Sequence, residues 1–172
     1  MFVCRRWRAA PLECGMPPAQ ELADHPANAG LRQHFEPTHL KPGLPRIATP
    51  DQVVRPYDSL GTHPDLVARL WDELPSQLPV DCRAVYCGVP ALRHPQTGIV
   101  FGFAGGTHTY ALRLPLTQFA AALAAGAKRI AQYPVRQPSF DLDTIGPEWV
   151  FGSWLKGEKE WCLAAYEHAA TP

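Results

Sequence analysis

The chain has 172 residues, of which 46% are hydrophobic and 19% charged, and its sixteen basic and sixteen acidic side chains give no net formal charge. This length suits one domain of ordinary size. The balanced charge disfavours a nucleic-acid partner, because proteins that neutralise phosphates usually carry a basic surface. No apolar run approaches the length of a membrane span, so we expect no membrane partner either.

The cysteines indicate the redox compartment. There are five of them, an odd number, and they lack the dense spacing of a secreted disulfide scaffold. Cys82 and Cys87 would leave opposite faces of a strand, which argues against a shared metal ion. We therefore expect free thiols, no metal site and a cytoplasmic protein.

The first third of the chain is rich in proline. Residues 1–56 hold nine of the nineteen prolines and show neither apolar alternation nor a sustained helical stripe. This composition is typical of irregular or disordered chain. We expect an N-terminal arm over residues 1–56 and a single α+β domain over residues 57–172.

The first regular element is a helix that begins near Thr62. The Thr62 hydroxyl, Pro64 and Asp65 all favour a helix start, and Pro75 favours its end. Apolar residues at helical spacing form its buried stripe: Leu66, Val67, Leu70, Trp71 and Leu74. The pattern predicts an amphipathic helix that lies on a sheet.

Three strands are expected next. Residues 82–89 are rich in β-branched and aromatic side chains, and Pro90 ends that run. Residues 98–115 contain two further runs joined by Gly105 and Gly106, which is typical of a β-hairpin. One face of the first strand is expected to carry Ile99, Phe101 and Phe103. One face of the second strand is expected to carry His108, Tyr110, Leu112 and Leu114.

The last third predicts a helix, a strand and a helix. The alanine-rich run 116–126 has helical spacing, residues 148–155 alternate as a strand, and residues 158–170 form a terminal helix. The predicted fold is α+β, with a single antiparallel sheet of four to five strands and about three helices packed mainly on one face.

Several of these segments resemble the YjbR/MmcQ-like family of small α+β proteins. The shared features are the step from Leu112 to Pro115 into an alanine-rich helix, Gly146 followed by Trp149 and Val150, and Tyr166 near the C-terminus. The resemblance covers about residues 57–170. It implies a compact α+β fold and DNA binding, and it brings no set of catalytic residues.

Four residues are candidates for ligand binding. His108 and Tyr110 share a strand face beside the two glycines, where a ligand could approach the backbone closely. His63 precedes the first helix, where it could bind an anion or simply cap the helix. Trp154 is the one tryptophan of the last quarter that the pattern does not assign to the core.

We find no paired nucleophile and base, and we expect no catalytic residue and no cofactor. The leading hypothesis is a small non-catalytic binding module, a monomer or homodimer, whose partner is a protein or a small molecule. One alternative is a metal-assisted or hydrolytic enzyme centred on His108, which requires His63, Cys87 or Glu148 to converge on it. The other is nucleic-acid binding, implied by the resemblance, through a basic face of Arg83, Arg113, Lys128 and Arg129.

Overall fold

The computed structural model describes residues 19–107, 109–129, 145–152 and 154–171. Its strands are β1 Ile47–Ala48, β2 Arg83–Tyr86, β3 Val89–Arg93, β4 Val100–Gly105, β5 Thr109–Arg113, β6 Lys128–Arg129 and β7 Trp149–Gly152. Its α-helices are α1 Ala19–Ala23, α2 Ala29–His39, α3 Pro56–Ser59, α4 Pro64–Ala68, α5 Leu116–Ala124 and α6 Glu158–Ala169. A π-helical turn, Arg69–Glu73, continues α4 directly.

The strands form one antiparallel sheet in the order β1-β2-β3-β4-β5-β7-β6. The predicted class, α+β with a single antiparallel sheet, is confirmed. The predicted count of four to five strands and three helices is wrong, since the described residues contain seven strands and six α-helices. The edge strands β1 and β6 have two residues each, which is too short for a period-2 pattern to be visible.

The segment expected to be one strand over residues 82–89 is instead the first half of a hairpin. Cys87 and Gly88 form its two-residue turn with φ values of 46° and 84°, and both positive values are typical of a type I′ turn. A cysteine rarely adopts this conformation, so the turn carries no recognisable dipeptide. Pro90, expected to end the strand, lies within β3 opposite Val85, and pairing with β4 begins only at Ala91.

The hairpin of β4 and β5 forms as predicted, but a bulge changes the faces of β4. Leu92 pairs with Gly102 and Arg93 pairs with Val100, which leaves Phe101 as the extra residue. Phe101 and Phe103 therefore join different cores on opposite sides of the sheet, although simple alternation predicts one face. The described residues that were expected on one face of β5 do share a core. They are Tyr110, Leu112 and, just beyond the strand, Leu114.

Helices cover both faces of the sheet. On the first face, α4, the π-turn, α5 and α6 pack their apolar residues against the strands, among them Leu66, Leu70, Trp71, Phe119 and Trp161. On the second face the core includes Leu31, Phe35, Phe103, Trp149 and Phe151. The expectation of helices mainly on one face therefore needs correction, because α2 supplies a second layer.

Helix α2 lies within the segment that the sequence pattern assigns to an irregular arm. Its buried apolar residues are only Leu31 and Phe35, and Pro37 stands near its end, so its stripe is too short to recognise. Asn28, just before the helix, is fully buried and bridges to β4: its Nδ2 donates to the Gly98 carbonyl and its Oδ1 accepts the N–H of Val100, both at 2.9 Å. These bonds attach the start of α2 to the central sheet.

No helix in the described ranges is both long and apolar enough to span a membrane.

Candidate functional site

Of the four predicted ligand-binding residues, His63 lies at the start of α4, the helix predicted to begin near Thr62. Its Nδ1 accepts the N–H of Asp65 at 3.3 Å, so the ring caps α4. Its backbone N–H donates to the carbonyl of Gly106 at 2.9 Å, which attaches this cap to the tip of the β4–β5 hairpin. His108, predicted at that tip, lies outside the described residues.

Tyr110 and Trp154 contact each other at the same end of the sheet. Their ring centroids are 6.4 Å apart with planes at 74°, an edge-to-face arrangement. Tyr110 is buried on β5, whereas Trp154 is 50% exposed and adopts a left-handed backbone with φ 53°. Tyr110 pairs with Ala104, whose carbonyl accepts the Thr62 hydroxyl at 3.4 Å, so the His63 segment adjoins the same strands.

A buried ion pair beside these rings was missed by sequence reasoning. Arg69 Nη2 donates to Glu158 Oε2 at 2.9 Å, and its Nη1 donates to Glu73 Oε2 at 2.7 Å. The Arg69 side chain is 12% exposed and the Glu158 side chain is fully buried. Arg69 begins the π-turn, a geometry that recurs at functional sites.

Nothing local predicts that ion pair. Glu158 is the first residue of α6, where an acidic side chain is ordinarily explained by the helix dipole. Arg69 stands between apolar positions of α4 and its continuation, as a solvated residue would. The two are 89 positions apart in sequence, and only the packing of α6 near the π-turn brings them together.

Three polar atoms in this region are buried and have no hydrogen-bond partner among the described residues: Arg69 Nε, the Tyr110 hydroxyl and Glu158 Oε1. Gly152 packs against the Glu158 carboxylate and the Tyr110 ring. A Cβ at Gly152 would stand 2.6 Å from Glu158 Oε1 and 3.4 Å from Tyr110 Cε2, so the carboxylate and the ring meet above this glycine. We call Arg69, Tyr110, Glu158, Gly152 and Trp154 the Tyr110–Glu158 cluster.

Burial dominates the electrostatics of the Tyr110–Glu158 cluster. Desolvation raises the pKa of Glu158, while a hydrogen bond from the Leu155 backbone and the Arg69 guanidinium oppose the rise. Burial by itself lowers the pKa of Arg69, but its hydrogen bonds to Glu158 and Glu73 together raise it. The guanidinium therefore stays charged beside a carboxylate whose ionised form is poorly solvated.

The enzyme hypothesis requires His63, Cys87 or Glu148 beside His108, and His108 itself lies outside the described residues. Glu148 Oε1 accepts from Arg113 Nη2 at 3.2 Å, at the end of β5 opposite to Tyr110. Cys87 packs in the core of the second face, and burial raises the pKa of its thiol to about 12, which leaves little nucleophilic thiolate. The described residues also contain no group of three or more His, Cys, Asp or Glu side chains that could hold a metal.

The four basic residues expected to form a nucleic-acid face are dispersed. Arg83 Nη1 pairs with Asp72 at 3.2 Å, and Arg113 pairs with Glu148. Lys128 and Arg129 are exposed on the edge strand β6, and four strands separate β6 from β2. This arrangement gives no continuous basic surface made of these four side chains.

Comparisons with known proteins give no relative. No family model, no curated protein and no solved structure matches this chain. The structure itself defines the class of the protein, which is α+β with one antiparallel sheet covered on both faces. The resemblance to the YjbR/MmcQ-like family stays a prediction.

Proposed function

We propose that this protein is a small non-catalytic binding module that holds a small-molecule ligand at the Tyr110–Glu158 cluster. One observation carries the proposal. Arg69 Nε, the Tyr110 hydroxyl and Glu158 Oε1 are each buried with no partner among the described residues, Arg69 is ion-paired with Glu158, and Glu158 and the Tyr110 ring both pack against Gly152. Folded proteins rarely tolerate such atoms, and several in one place indicate a functional role.

The arrangement is suited to binding. An unpartnered buried hydroxyl costs about 1–3 kcal/mol, and a ligand that supplies its hydrogen bond recovers that cost. Trp154 provides a half-exposed aromatic surface against the Tyr110 ring. A few convergent polar groups beside aromatic surface are the usual composition of a small-molecule site.

The first test compares two equally buried tyrosines, of which Tyr86 has a hydrogen-bonded hydroxyl and Tyr110 has none among the described residues. Both Tyr110 and Tyr86 are 1% exposed, but the Tyr86 hydroxyl donates to the Ala23 carbonyl at 3.1 Å. We expect Tyr86→Phe to lose about 1 kcal/mol of unfolding free energy and Tyr110→Phe to lose nothing or to gain stability. Urea denaturation measures both. An equal loss in the two variants would show that the fold uses the Tyr110 hydroxyl, and it would overturn the proposal.

The second test asks whether a small molecule binds there. The probes are benzylammonium, benzyl alcohol, benzamide and benzoate, each at about 10 mM because ligands this small bind weakly. The readout is the melting temperature of the protein. We expect at least one probe to raise the melting temperature of the unmodified protein and to act more weakly on Trp154→Ala. No shift with any of the four probes would contradict a small-molecule site in the Tyr110–Glu158 cluster.

A further inference from the structure

We propose that the ligand of the Tyr110–Glu158 cluster is an organic ammonium ion. This inference rests on the proposed function and names the chemical class that the site takes. It is carried by the type of unpartnered atom, by the local balance of charge and by the two aromatic rings.

The unpartnered oxygens provide acceptors for an ammonium group. Glu158 Oε1 is a carboxylate oxygen, and the Tyr110 hydroxyl can accept as well as donate. Gly152 has no side chain, and the position that a Cβ would occupy lies 2.6 Å from Glu158 Oε1 and 3.4 Å from the Tyr110 ring. The Glu158 carboxylate and the Tyr110 ring therefore both pack closely against Gly152.

The balance of charge in the cluster favours a cationic ligand over an anionic one. Arg69 already donates to two carboxylates, Glu158 at 2.9 Å and Glu73 at 2.7 Å. The three side chains together carry one net negative charge when all are ionised. An entering anion would meet both carboxylates with the guanidinium already occupied, whereas an ammonium ion restores neutrality.

The aromatic rings favour the same ligand. Tyr110 and Trp154 lie edge to face with centroids 6.4 Å apart, so they present two differently oriented surfaces at one place. A cation within about 6 Å of such a ring is attracted by the quadrupole of the ring, most strongly by tryptophan. The left-handed backbone of Trp154, φ 53°, is an uncommon conformation for a bulky residue and is typical of functional sites.

Burial of Glu158 is consistent with this ligand class. Desolvation raises the pKa of its carboxyl because a buried carboxylate loses hydration, and a bound ammonium ion would replace part of it. Arg69 Nε remains as an unpartnered donor. A neutral oxygen on the same ligand, such as a hydroxyl, would accept from it.

The test is a calorimetric titration with benzylammonium chloride, with benzyl alcohol and sodium benzoate as neutral and anionic analogues of similar size. We expect saturable binding of benzylammonium and at least about tenfold weaker binding of the two analogues, since charge-assisted bonds are the stronger ones. If benzoate or benzyl alcohol binds more tightly than benzylammonium, the ammonium inference is wrong while the binding-module proposal survives. If no probe binds at all, both fail.

Matched variants locate the site. Glu158→Gln keeps the shape of the side chain and removes its charge, and we expect it to weaken benzylammonium binding at least about tenfold. Glu160→Gln makes the same change two positions along α6 on an exposed residue, and its affinity should equal that of the unmodified protein. Equal affinities of the Glu158 variant and the unmodified protein would overturn the inference.

A second pair of variants keeps the test decisive if Glu158→Gln does not fold. Trp154 is half exposed, so its replacement leaves the buried ion pair in place. Trp154→Ala should weaken benzylammonium binding about two- to fivefold, and Trp154→Phe, which retains an aromatic ring, should restore most of it. No difference between the two would show that the ring takes no part, and the ammonium inference would be withdrawn.

Discussion

Buried polar residues have specific roles in this protein, and their partners show which role each one has. Asn28 has a hydrogen bond at both Nδ2 and Oδ1, and these two bonds connect α2 to β4. His94 is 4% exposed, accepts the N–H of Thr97 at Nδ1 and stacks on Tyr166 with ring centroids 4.7 Å apart. Glu158 differs from both, because one of its oxygens has no partner among the described residues. That difference distinguishes Glu158 from Asn28 and His94.

The pKa of His94 predicts how stability depends on pH. Burial lowers this pKa below its ordinary value of 6.5, and Asp81 partly opposes the shift. The unfolded chain therefore takes up the proton more readily than the folded chain, so stability should fall as the pH drops below about 6.5. His94 contributes a slope of at most about 1.4 kcal/mol per pH unit.

Urea denaturation between pH 7.5 and 5.5, the range around the ordinary histidine pKa, measures this slope. His94→Gln keeps a hydrogen-bond acceptor without a titrating ring and should flatten the slope. His39, whose pKa burial also lowers, contributes in the same direction and remains in the variant. His168→Gln, an exposed change on α6, is the control and should behave like the unmodified protein. Equal slopes in all three proteins would refute the prediction.

At the scale of elements, the periodic segments were predictable and the irregular ones were not. The helix that starts near Thr62, the β4–β5 hairpin and the terminal helix carry strong local patterns, and each forms close to its expected bounds. The β2–β3 turn was missed because Cys87 occupies a left-handed position usually filled by Asn, Asp or Gly. The bulge at Phe101 was missed because no residue there signals a change of register.

Gly88 at that turn gives a test of how an element is held in place. A Cβ on Gly88 would overlap the carbonyl of His39, the last residue of α2, in addition to the strain of φ 84°. Gly43 has nearly the same φ, 85°, but open space around it. We expect Gly43→Ala to cost about 1 kcal/mol from strain and Gly88→Ala about 3 kcal/mol or more, because backbone must move.

Urea denaturation of the two alanine variants checks this prediction. The difference between them isolates the contact of the hairpin with α2, since both variants carry the same backbone strain. Equal losses would mean that α2 does not press against the turn.

At the scale of the whole molecule, the sheet is buried on both sides, and this burial determines which parts unfold together. Phe35 of α2 packs on Phe103 of β4 with ring centroids 5.1 Å apart, in the core of the second face. Leu70 and Trp71 occupy the core of the first face. Because β4 contributes to both cores, the two layers are expected to melt in one transition.

A substitution in α2 tests whether the segment before residue 57 belongs to this cooperative unit. Phe35→Ala should lose about 3–5 kcal/mol, with one unfolding transition by both fluorescence and circular dichroism. Gln33→Ala, on the exposed side of the same helix, should change stability by less than about 0.5 kcal/mol. A Phe35 variant as stable as the Gln33 variant would support the irregular arm expected from the sequence.

As with the fold, local sequence features select some residues of the candidate site, and only the tertiary structure reveals the others. Local features, namely strand parity, an unassigned tryptophan and a helix start, select Tyr110, Trp154 and His63 as candidates, and the first two of these belong to the Tyr110–Glu158 cluster. Arg69 and Glu158 were not predictable, because a charged residue on an amphipathic helix or at a helix start ordinarily faces solvent. The π-turn and the packing of α6 bury these two side chains.

The sequence by itself determined the elements with a sustained period, the α+β class and the antiparallel sheet, since these depend on neighbours a few residues apart. The tertiary structure decided the second helical layer, the hairpin turn at Cys87, the bulge in β4 and the buried pair of Arg69 and Glu158. Each of these depends on contacts between distant segments, and the free energy of such a contact is a property of both partners. No local pattern in either segment indicates such a contact.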